Sequence, residues 1–482
     1  MSLASHLSHR TWLWLLLIGI MLLRLIFLGA YPLADTTEAR YAEMGRLIID
    51  TGDWITPQFE KGVPFWGKPP LSFWLTAISF KALGIHEFSA RLPSFILAIA
   101  VLLTVFSLGR YQAGSTRALT ACLIMASSVI FWVSSGAVMT DHCLLTGTTL
   151  SMAAFWRCTT SSGLGRRIWG WLFFIGLSIG LMSKGPVAVV LTFFPILAWG
   201  ILRKAPLEVL KHLPWKTGIL TVMVLTLPWY IVAEIKTPGF LEYFIVGEHL
   251  NRFLVPGWQG DLYGSAHDQP KGMIWMFWIV CALPWSLFFA YHLFKKETRR
   301  SLAAEYREAN DWYLYLIFWA SAPMIFFTLA GNILWAYVLP GIPAFALLCA
   351  AFLDSDSACV GIKKTATGLL PALLLLSFIV SLGVGPSQNS QKELIHHFNR
   401  IRQNETLHYF QWRPFSAEFY SNGSAGELSS FQDIKTLMND DKKVFFAIKT
   451  DHLTSIPQRI RVKLTKQEEI NGYTLLREKT DE

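Results

Sequence analysis

Apolar residues in this chain are grouped into runs of about 20 residues, separated by short polar segments. A helix of about 20 apolar residues crosses the roughly 30 Å hydrocarbon core of a bilayer with its backbone groups paired internally. The runs lie at 12–32, 88–109, 116–135, 141–156, 168–182, 186–202, 217–234, 272–294, 311–330, 333–353 and 365–385. They predict an all-α polytopic membrane protein with about eleven transmembrane helices.

Basic residues between the runs predict the topology, because cytoplasmic loops of membrane proteins are enriched in Lys and Arg. If Arg10 is cytoplasmic, every basic loop falls on the same side of the membrane. These loops carry Arg110 and Arg117; Arg157, Arg166 and Arg167; Arg203, Lys204, Lys211 and Lys216; Lys295, Lys296, Arg299, Arg300 and Arg307; and Lys363 and Lys364. We therefore predict a cytoplasmic N-terminus.

Three long segments then lie on the extracytoplasmic side: residues 33–87, residues 235–271 and the tail from about 386. Within the first of them, residues 38–50 have helical apolar spacing, and residues 69–83 form an aromatic-rich amphipathic stretch. Both are predicted to be helices that lie in the membrane interface.

The tail has a different pattern from the rest of the chain. Strand-like runs at 444–448 and 473–476 accompany a predicted helix around 428–439, which together predict a small α/β domain. Residues 413–423 (RPFSAEFYSNG) are predicted to be a strand-turn element of this domain. We therefore predict a transmembrane domain at 1–385 and a soluble extracytoplasmic domain at 386–482.

Composition agrees with a membrane protein, since 53% of the residues are hydrophobic and only 16% are charged. The formal charge of +9 comes from loops and not from one basic face, so no nucleic-acid partner is indicated. The first run, from Trp12, has no cleavage pattern and is predicted to be retained. The cysteines indicate no disulfide framework, because they lie inside apolar runs or beside predicted cytoplasmic loops: Cys122, Cys143, Cys281, Cys349, Cys158 and Cys359.

Charged residues at membrane depth are costly, so each is a functional hypothesis. The first group is Asp35, Glu38 and Arg40, where the first helix reaches the outer side. An acid and a base beside the membrane could bind a polar substrate and activate a hydroxyl. The alternative is a helix start, with Thr36 or Thr37 as its cap.

Two lysines lie at the same outer level. Lys68 sits between aromatic residues and prolines, where it reaches the lipid headgroups either as a binding cation or as a snorkelling side chain. Lys184 is held between two apolar helices by a Gly-Pro turn and could bind an anionic headgroup.

Two further groups complete the set. Asp141 and His142 lie at the outer mouth of a helix, where Asp141 is a helix cap or, with His142 and another carboxylate, part of a metal site. The pair alone lacks diagnostic spacing for a metal. The EHLNRF segment at 248–253 adds Arg252, a cation suited to phosphate. Together these residues suit chemistry on a phosphate-bearing lipid.

At these residues the sequence resembles the C-type membrane glycosyltransferases, specifically the family of ArnT and the protein O-mannosyltransferases. The resembling segments are DTTEARYAEM, TGDWITPQFEKGVPFWGKPPLSFWL, the Asp141 and Lys184 sites, EHLNRF, and GNILWAYVLPGIPAFALL. They span residues 35–348 in the family's order. Such enzymes take a sugar from a polyprenyl phosphate carrier on the periplasmic or luminal side, without a nucleotide sugar.

The resemblance implies that Asp35 or Glu38 is the catalytic carboxylate. It places the donor phosphate and substrate among the other residues of the matched segments: Arg40, Tyr41, Lys68, Asp141, Lys184, Glu248, His249, Arg252 and Tyr337. It implies no required cofactor, and it is compatible with a bound divalent metal.

Three positions depart from the family pattern. Thr37 replaces the second acid of a common Asp-Pro-Asp-Glu sequence, which leaves Asp35 or Glu38 to act. Gly67 stands where ArnT relatives often have an acid before the lysine, which argues against a metal there. The apolar stretch 333–335 replaces a frequent lysine, so recognition of the donor headgroup or the acceptor is expected to differ.

We therefore predict a glycosyltransferase of the bacterial inner membrane that moves a sugar from a polyprenyl (undecaprenyl) phosphate donor to a lipid A, glycan or protein acceptor on the periplasmic side, with inversion. The alternative is a flippase or transporter for the lipid-linked sugar, which would place polar residues near the middle of several spans. A third hypothesis, a non-catalytic scaffold that presents the C-terminal domain, would not explain the cluster of acidic and basic residues on the outer side.

Overall fold

The computed structural model describes residues 8–264, 267–294, 311–351, 372–373, 388–439 and 443–479. Apart from residues 372–373, the predicted run at 365–385 lies outside the described residues, as do the basic groups at 295–307 and 363–364.

The N-terminal three quarters of the described chain are helical. A short hairpin of β1 (Gln58–Glu60) and β2 (Val63–Pro64) interrupts them. The helices are α1 (His9–Ile26), α2 (Thr37–Thr51), α3 (Leu71–Leu83), α4 (Glu87–Ala126), α5 (Val129–Ser134), α6 (Asp141–Thr160), α7 (Gly163–Lys184), α8 (Val187–Leu202), α9 (Trp215–Lys236), α10 (Phe240–Glu242), a π-helix (Tyr243–Asn251), α11 (Arg252–Leu254), α12 (Met273–Cys281), α13 (Trp285–Phe294), α14 (Trp312–Thr328), a 3-10 helix (Trp335–Gly341) and α15 (Ile342–Ala351).

The helix α4 is a hairpin, although its 40 residues are continuous. Its backbone reverses at Gly114, where φ is 84°. The Cys122 sulfur lies 3.3 Å from the Leu102 carbonyl oxygen, twenty residues away, whereas a straight helix would separate them by about 30 Å. The two arms match the separate runs predicted at 88–109 and 116–135.

The predicted number of about eleven membrane crossings is not confirmed by the described residues. Among the described residues, α1, α4 and α9 are long and apolar enough to cross a membrane. The run predicted at 272–294 is not one straight span, because α12 and α13 meet at an angle of 101°. The other predicted runs up to residue 351 are helical, but the total of eleven crossings is not confirmed.

The two predicted interface segments are both helices. α2 (Thr37–Thr51) and α3 (Leu71–Leu83) pack closely, since a Cβ atom added to Gly45 would lie 2.7 Å from the Thr76 side chain. α2 ends at Gly52, whose left-handed φ of 71° suits glycine. This pair carries the first outer segment.

The described C-terminal residues form a five-stranded mixed sheet with short helices, which confirms the predicted α/β character. Strand order is β4-β3-β5-β7-β6; β3 pairs in parallel with β4 and β5, while β7 is antiparallel to β5 and β6. The elements are α16 (Lys392–Ile401), β3 (Thr406–Phe410), α17 (Phe415–Tyr420), β4 (Gly426–Leu428), α18 (Phe431–Leu437), β5 (Val444–Lys449), a 3-10 helix (Thr450–Ser455), α19 (Gln458–Arg461), β6 (Leu464–Ile470) and β7 (Tyr473–Glu478).

The strand-turn element predicted for 413–423 is wrong, because Phe415–Tyr420 is a helix. Phe415 and Phe419, four residues apart, lie on one face of this helix and pack with Leu33 and Phe80 of the first outer segment. Burial of that aromatic face, rather than the alternation of the sequence, determines the local structure.

A buried group of four charged residues joins the C-terminal unit to α2. Arg46 donates to both carboxylate oxygens of Glu43 at 2.6 and 2.7 Å, and Arg413 pairs with Glu418 at 2.9 Å. Burial, and next the charge of Glu43, raise the pKa of Glu418 to about 7. Burial also raises the pKa of Glu43. The contact therefore favours protonated carboxyl groups.

We predict that docking of the C-terminal unit weakens as pH rises. Because the pKa of Glu418 is raised from about 4.5 to about 7, its contribution is complete below pH 4.5 and is lost as pH passes 7. The loss should be on the order of 1–3 kcal/mol. Thermal unfolding of the full chain in detergent, between pH 5 and 8, measures it.

Glu418→Gln should reduce this pH dependence, whereas Glu393→Gln, at an exposed site in α16, should keep the wild-type slope. Equal slopes in both variants would contradict the assignment.

Candidate functional site

A cavity of about 280 Å³ lies among α6, α7, α8, the π-helix, α14 and the 3-10 helix. The polar residues of its wall are Lys68, Asp141, Lys184, Glu248, His249, Arg252, Asn332 and Tyr337. Ion pairs, hydrogen bonds and a ring contact join neighbouring members of this set. The rest is apolar, with Leu144, Val187, Leu191, Phe253, Phe326 and Leu339 among its residues. The cavity can therefore hold a ligand that is anionic at one end and hydrocarbon at the other.

Glu248 links two cations from separate segments. Its carboxylate lies 2.8 Å from the Lys68 ammonium and 3.1 Å from the Arg252 guanidinium. Arg252 also pairs with Asp261 at 3.1 Å. Burial alone would raise the pKa of Glu248, but Lys68 and Arg252 outweigh it and lower the pKa to about 2. Glu248 is therefore an anion at neutral pH and fixes both cations.

Lys184 and Asp141 form a second, buried ion pair at 2.6 Å. Asp141 begins α6, and Lys184 ends α7. The two helices approach so closely that a Cβ atom on Gly147 would lie 2.6 Å from the Gly176 carbonyl oxygen. The Lys184 ammonium also lies 5.2 Å from the centre of the Tyr337 ring.

His249 fastens the π-helix to the end of α7. Its two ring nitrogens lie 2.7 Å from the Phe244 carbonyl oxygen and 2.9 Å from that of Lys184. The π-helix carries Glu248 and His249, and α11 begins directly after it with Arg252. π-helical turns are frequent at functional sites.

Asn332 holds the backbone that carries Arg252. Its side-chain amide donates to the carbonyl oxygens of Arg252 at 2.7 Å and Val255 at 2.9 Å, and its oxygen accepts from the Gly257 amide at 3.2 Å. Asn332 is 5% exposed, so these bonds form away from bulk water. No pattern in the sequence indicates this role, because the partners of Asn332 lie 75 to 80 residues away along the chain.

Glu38 and Asp35 do not belong to the described cavity wall. Glu38 accepts four hydrogen bonds: two from Arg91 at 2.8 and 2.9 Å, and one each from the Ala34 and Val138 amides at 3.3 Å. These fill the four lone-pair sites of a carboxylate. Glu38 is therefore occupied as a structural anion.

Arg91 was not singled out in the sequence. Its side chain is fully buried, and besides Glu38 it donates to the carbonyl oxygens of Leu28, Tyr31 and Pro32 at 2.7 to 2.9 Å. All five N–H groups are used. Arg91 thus fixes the turn that leads from α1 into the first outer segment. The sequence signal for this role was the position of an arginine inside the apolar run 88–109.

Asp35 faces the C-terminal unit. One carboxylate oxygen accepts from the Ser416 amide at 2.9 Å, and the other accepts from the Ser416 hydroxyl. Burial raises the pKa of Asp35 to about 6, against the opposing effect of these bonds. Unlike Glu38, Asp35 is not filled by four donors, and its raised pKa of about 6 lies closer to neutral pH than that of an ordinary carboxyl group.

Arg40 and Tyr41 also lie outside the described cavity wall. Arg40 donates to the Tyr263 carbonyl oxygen at 2.5 Å. The Tyr263 hydroxyl in turn donates to the Pro64 carbonyl oxygen and accepts from the Trp66 amide, just before Lys68. Arg40 therefore orders the Lys68 segment through Tyr263. Tyr41 packs edge-on against Phe73, with ring centres 5.4 Å apart.

Asp141 and His142 do not face a common point. The Asp141 carboxylate is paired with Lys184, whereas the buried His142 ring contacts Phe131, with ring centres 5.8 Å apart, and neither of its nitrogens has a hydrogen-bond partner. The described part of the chain holds no cluster of three or more His, Cys, Asp or Glu side chains suited to a metal ion. The geometry gives the predicted metal site no support.

Comparison with known proteins identifies relatives. The family model described as Dolichyl-phosphate-mannose-protein mannosyltransferase matches residues 21–244. An undecaprenyl phosphate-alpha-4-amino-4-deoxy-L-arabinose arabinosyl transferase of Aeromonas hydrophila is 27% identical, over 70% of this chain and 59% of that protein. The protein of the same name from Erwinia tasmaniensis is 30% identical, over 71% of this chain and 58% of its own length.

The crystal structure of ArnT from Cupriavidus metallidurans bound to undecaprenyl phosphate shares the fold, with a TM-score of 0.78. It covers 98% of both chains at 16% identity. The resemblance to the ArnT and protein O-mannosyltransferase family is confirmed. The ArnT-like chain spans less than two thirds of the two curated relatives named above.

We predict that Arg91→Met destabilises the ArnT-like chain by about 3–5 kcal/mol, because it leaves Glu38 and three carbonyl groups without partners in a buried site. Arg110→Met, at an exposed position on the same helix, is the matched control and should change stability by less than about 0.5 kcal/mol. Thermal unfolding in detergent compares them. A similar small effect in both would exclude the role given to Arg91.

Proposed function

We propose that this protein transfers a sugar from a polyprenyl phosphate, such as undecaprenyl phosphate, to an acceptor on the extracytoplasmic side of a bacterial inner membrane. The observation that carries the proposal is the convergence of Lys68, Lys184 and Arg252 at one part of an otherwise apolar cavity. Relatives named as undecaprenyl phosphate-dependent arabinosyl transferases support this activity.

The three cations suit a phosphate leaving group. When the bond from the anomeric carbon to the phosphate oxygen breaks, negative charge grows on that phosphate, and nearby fixed cations stabilise it. Glu248 and Asp141 hold the cations in place before the carrier arrives, so little reorganisation is needed. Arg252 can add the paired N–H donors that match two phosphate oxygens.

The apolar wall suits the hydrocarbon chain of the carrier. Phe253, Phe326 and Leu339 contribute to it and stand next to the charged groups. A prenyl chain seated there keeps its phosphate at the outer level of the membrane. A transporter would need a path across the membrane, and the described charged residues of this cavity all belong to its one polar part.

Asp35 is the better candidate of the two predicted catalytic carboxylates. Glu38 is filled by four donors, whereas Asp35, with a pKa of about 6, can accept a proton from an acceptor hydroxyl near neutral pH. The acceptor then approaches from the first outer segment, attacks the anomeric carbon from the face opposite the phosphate, and inverts its configuration. The acceptor is a lipid A, glycan or protein group.

The proposed function includes a topology. The chain crosses the membrane about eleven times, with a cytoplasmic N-terminus and with α2, α3 and the C-terminal unit on the periplasmic side. Three apolar helices of sufficient length among the described residues, and the hairpin in α4, support this multi-pass arrangement.

We predict that Lys68→Met and Arg252→Met each weaken binding of undecaprenyl phosphate by about 10–100-fold, because each removes a charged hydrogen-bond donor worth about 1.5–3 kcal/mol. Titration of the purified chain by native mass spectrometry measures this. Lys271→Met, at an exposed lysine of the same outer loop, should bind as the wild type does. Equal affinity in all three variants would show that the phosphate of the carrier binds elsewhere.

We predict that Asp35→Asn lowers transfer by about 10²–10⁴-fold, because a neutral amide cannot accept the acceptor proton. Its affinity for undecaprenyl phosphate should stay unchanged. Glu38→Gln should instead lower thermal stability, with transfer falling only as folded protein is lost. The readout is the sugar added to the acceptor per milligram of membrane-inserted protein. Undiminished transfer in Asp35→Asn would remove its catalytic role.

A further inference from the structure

One short helix of the C-terminal unit packs directly against the first outer segment. This helix, Phe415–Tyr420, is called the docking helix below. Its first five residues are buried. A six-residue helix has little stability by itself, so its conformation depends on what it packs against.

Asp35 is held by this unit through both its backbone and its side chain. The Asp35 amide donates to the Asn389 carbonyl oxygen at 2.8 Å. The two carboxylate oxygens accept from the amide and the hydroxyl of Ser416, and Ser416 is fully buried. The direction of the Asp35 carboxylate is therefore fixed by a residue 381 positions away.

A second contact runs from the docking helix toward the cavity. The Phe415 ring packs against Phe59 at 5.2 Å and lies 5.8 Å from the Arg40 guanidinium. Phe59 contacts Tyr263 at 5.1 Å, and Tyr263 binds the backbone on both sides of Phe65, just before Lys68. The helix thus supports the segment that carries a phosphate-binding lysine.

A third contact closes the far end of the helix. The Tyr420 hydroxyl accepts from the Leu33 amide at 2.7 Å and donates to Glu87 at 2.9 Å. Lys392, from α16, pairs with the same Glu87 carboxylate. The first outer segment is therefore held at Leu33, at Asp35 and at the start of α4.

We propose that the C-terminal unit is a part of the active site: the docking helix holds the first outer segment in its substrate-competent conformation, and Ser416 is a positioning residue for Asp35. The inference rests on the proposed function, since it gives Asp35 a role in transfer. It assigns Ser416 no contact with substrate.

If Ser416 only anchored the loop, removal of its hydroxyl would leave the pKa of Asp35 unchanged. If Ser416 positions Asp35, removal of the hydroxyl should change that pKa. Among the described residues, the Ser416 hydroxyl and the backbone amides of Ser416 and Phe415 stabilise the Asp35 carboxylate. Two titratable groups, Tyr409 of β3 and Tyr473 of β7, lie near it. The Ser416 hydroxyl stabilises the carboxylate, so its removal should raise the pKa of Asp35 above about 6.

The experiment is the pH dependence of transfer by the full chain in membranes, comparing wild type, Ser416→Ala and Ser455→Ala. Ser455 lies in the same unit, in the 3-10 helix after β5, and bonds only locally to the His452 carbonyl oxygen. In Ser416→Ala the acid limb of the rate profile should move up by about one pH unit. The rate on that limb should fall about tenfold, with unchanged affinity for undecaprenyl phosphate. Ser455→Ala should match the wild type.

A second variant tests the docking without touching Asp35. Tyr420→Phe removes the hydroxyl that binds Leu33 and Glu87, so hydrogen exchange of the amides at 33–40 should rise several-fold while the acid limb stays in place. An unchanged profile in folded Ser416→Ala, or faster transfer in it, would overturn the inference. If Asp35→Asn also transfers sugar normally, the proposed function of Asp35 fails; if Asp35→Asn is inactive, only the role of Ser416 fails.

Discussion

The cost of placing a charge in a buried site determines the organisation of this protein. A cation removed from water without a partner is unfavourable by several kcal/mol, so Lys184 is buried only with Asp141, and Lys68 and Arg252 share Glu248. The same constraint gives Arg91 its five acceptors. Carbonyl groups and carboxylates from distant segments must therefore meet before the helices can pack, and the proposed phosphate site is already assembled without a carrier.

The rest of the fold supplies those partners. Close packing of α6 on α7 aligns Asp141 with Lys184, and the π-helix adds His249 beside them. Arg252 follows at the start of α11. The first outer segment is held from two directions. Arg91 binds it from within the membrane part, and the C-terminal unit binds it from the other side. The carboxylate proposed to act on the acceptor and the cations proposed to bind the carrier phosphate thus depend on separate supports.

The sequence predicts the elements of this structure better than their contacts. Apolar runs identify helices because their length and composition are local properties, and Lys68, Lys184 and Arg252 stand out as charges in apolar surroundings. The choice between Asp35 and Glu38 was not accessible, since it depends on donors from Arg91 and Val138, 53 and 100 residues beyond Glu38. Asn332 was missed for the same reason. The docking helix was misread because its conformation depends on burial against α2 and α3.

The most direct test of the central claim is mass spectrometry of lipid A, surface glycans and envelope proteins from cells with and without this chain. We expect a sugar-sized mass to disappear from one acceptor when the chain is absent, and to return when the wild-type chain is restored. An unchanged set of acceptors, with the lipid-linked sugar accumulating on one leaflet, would contradict a transferase and indicate transport of the carrier.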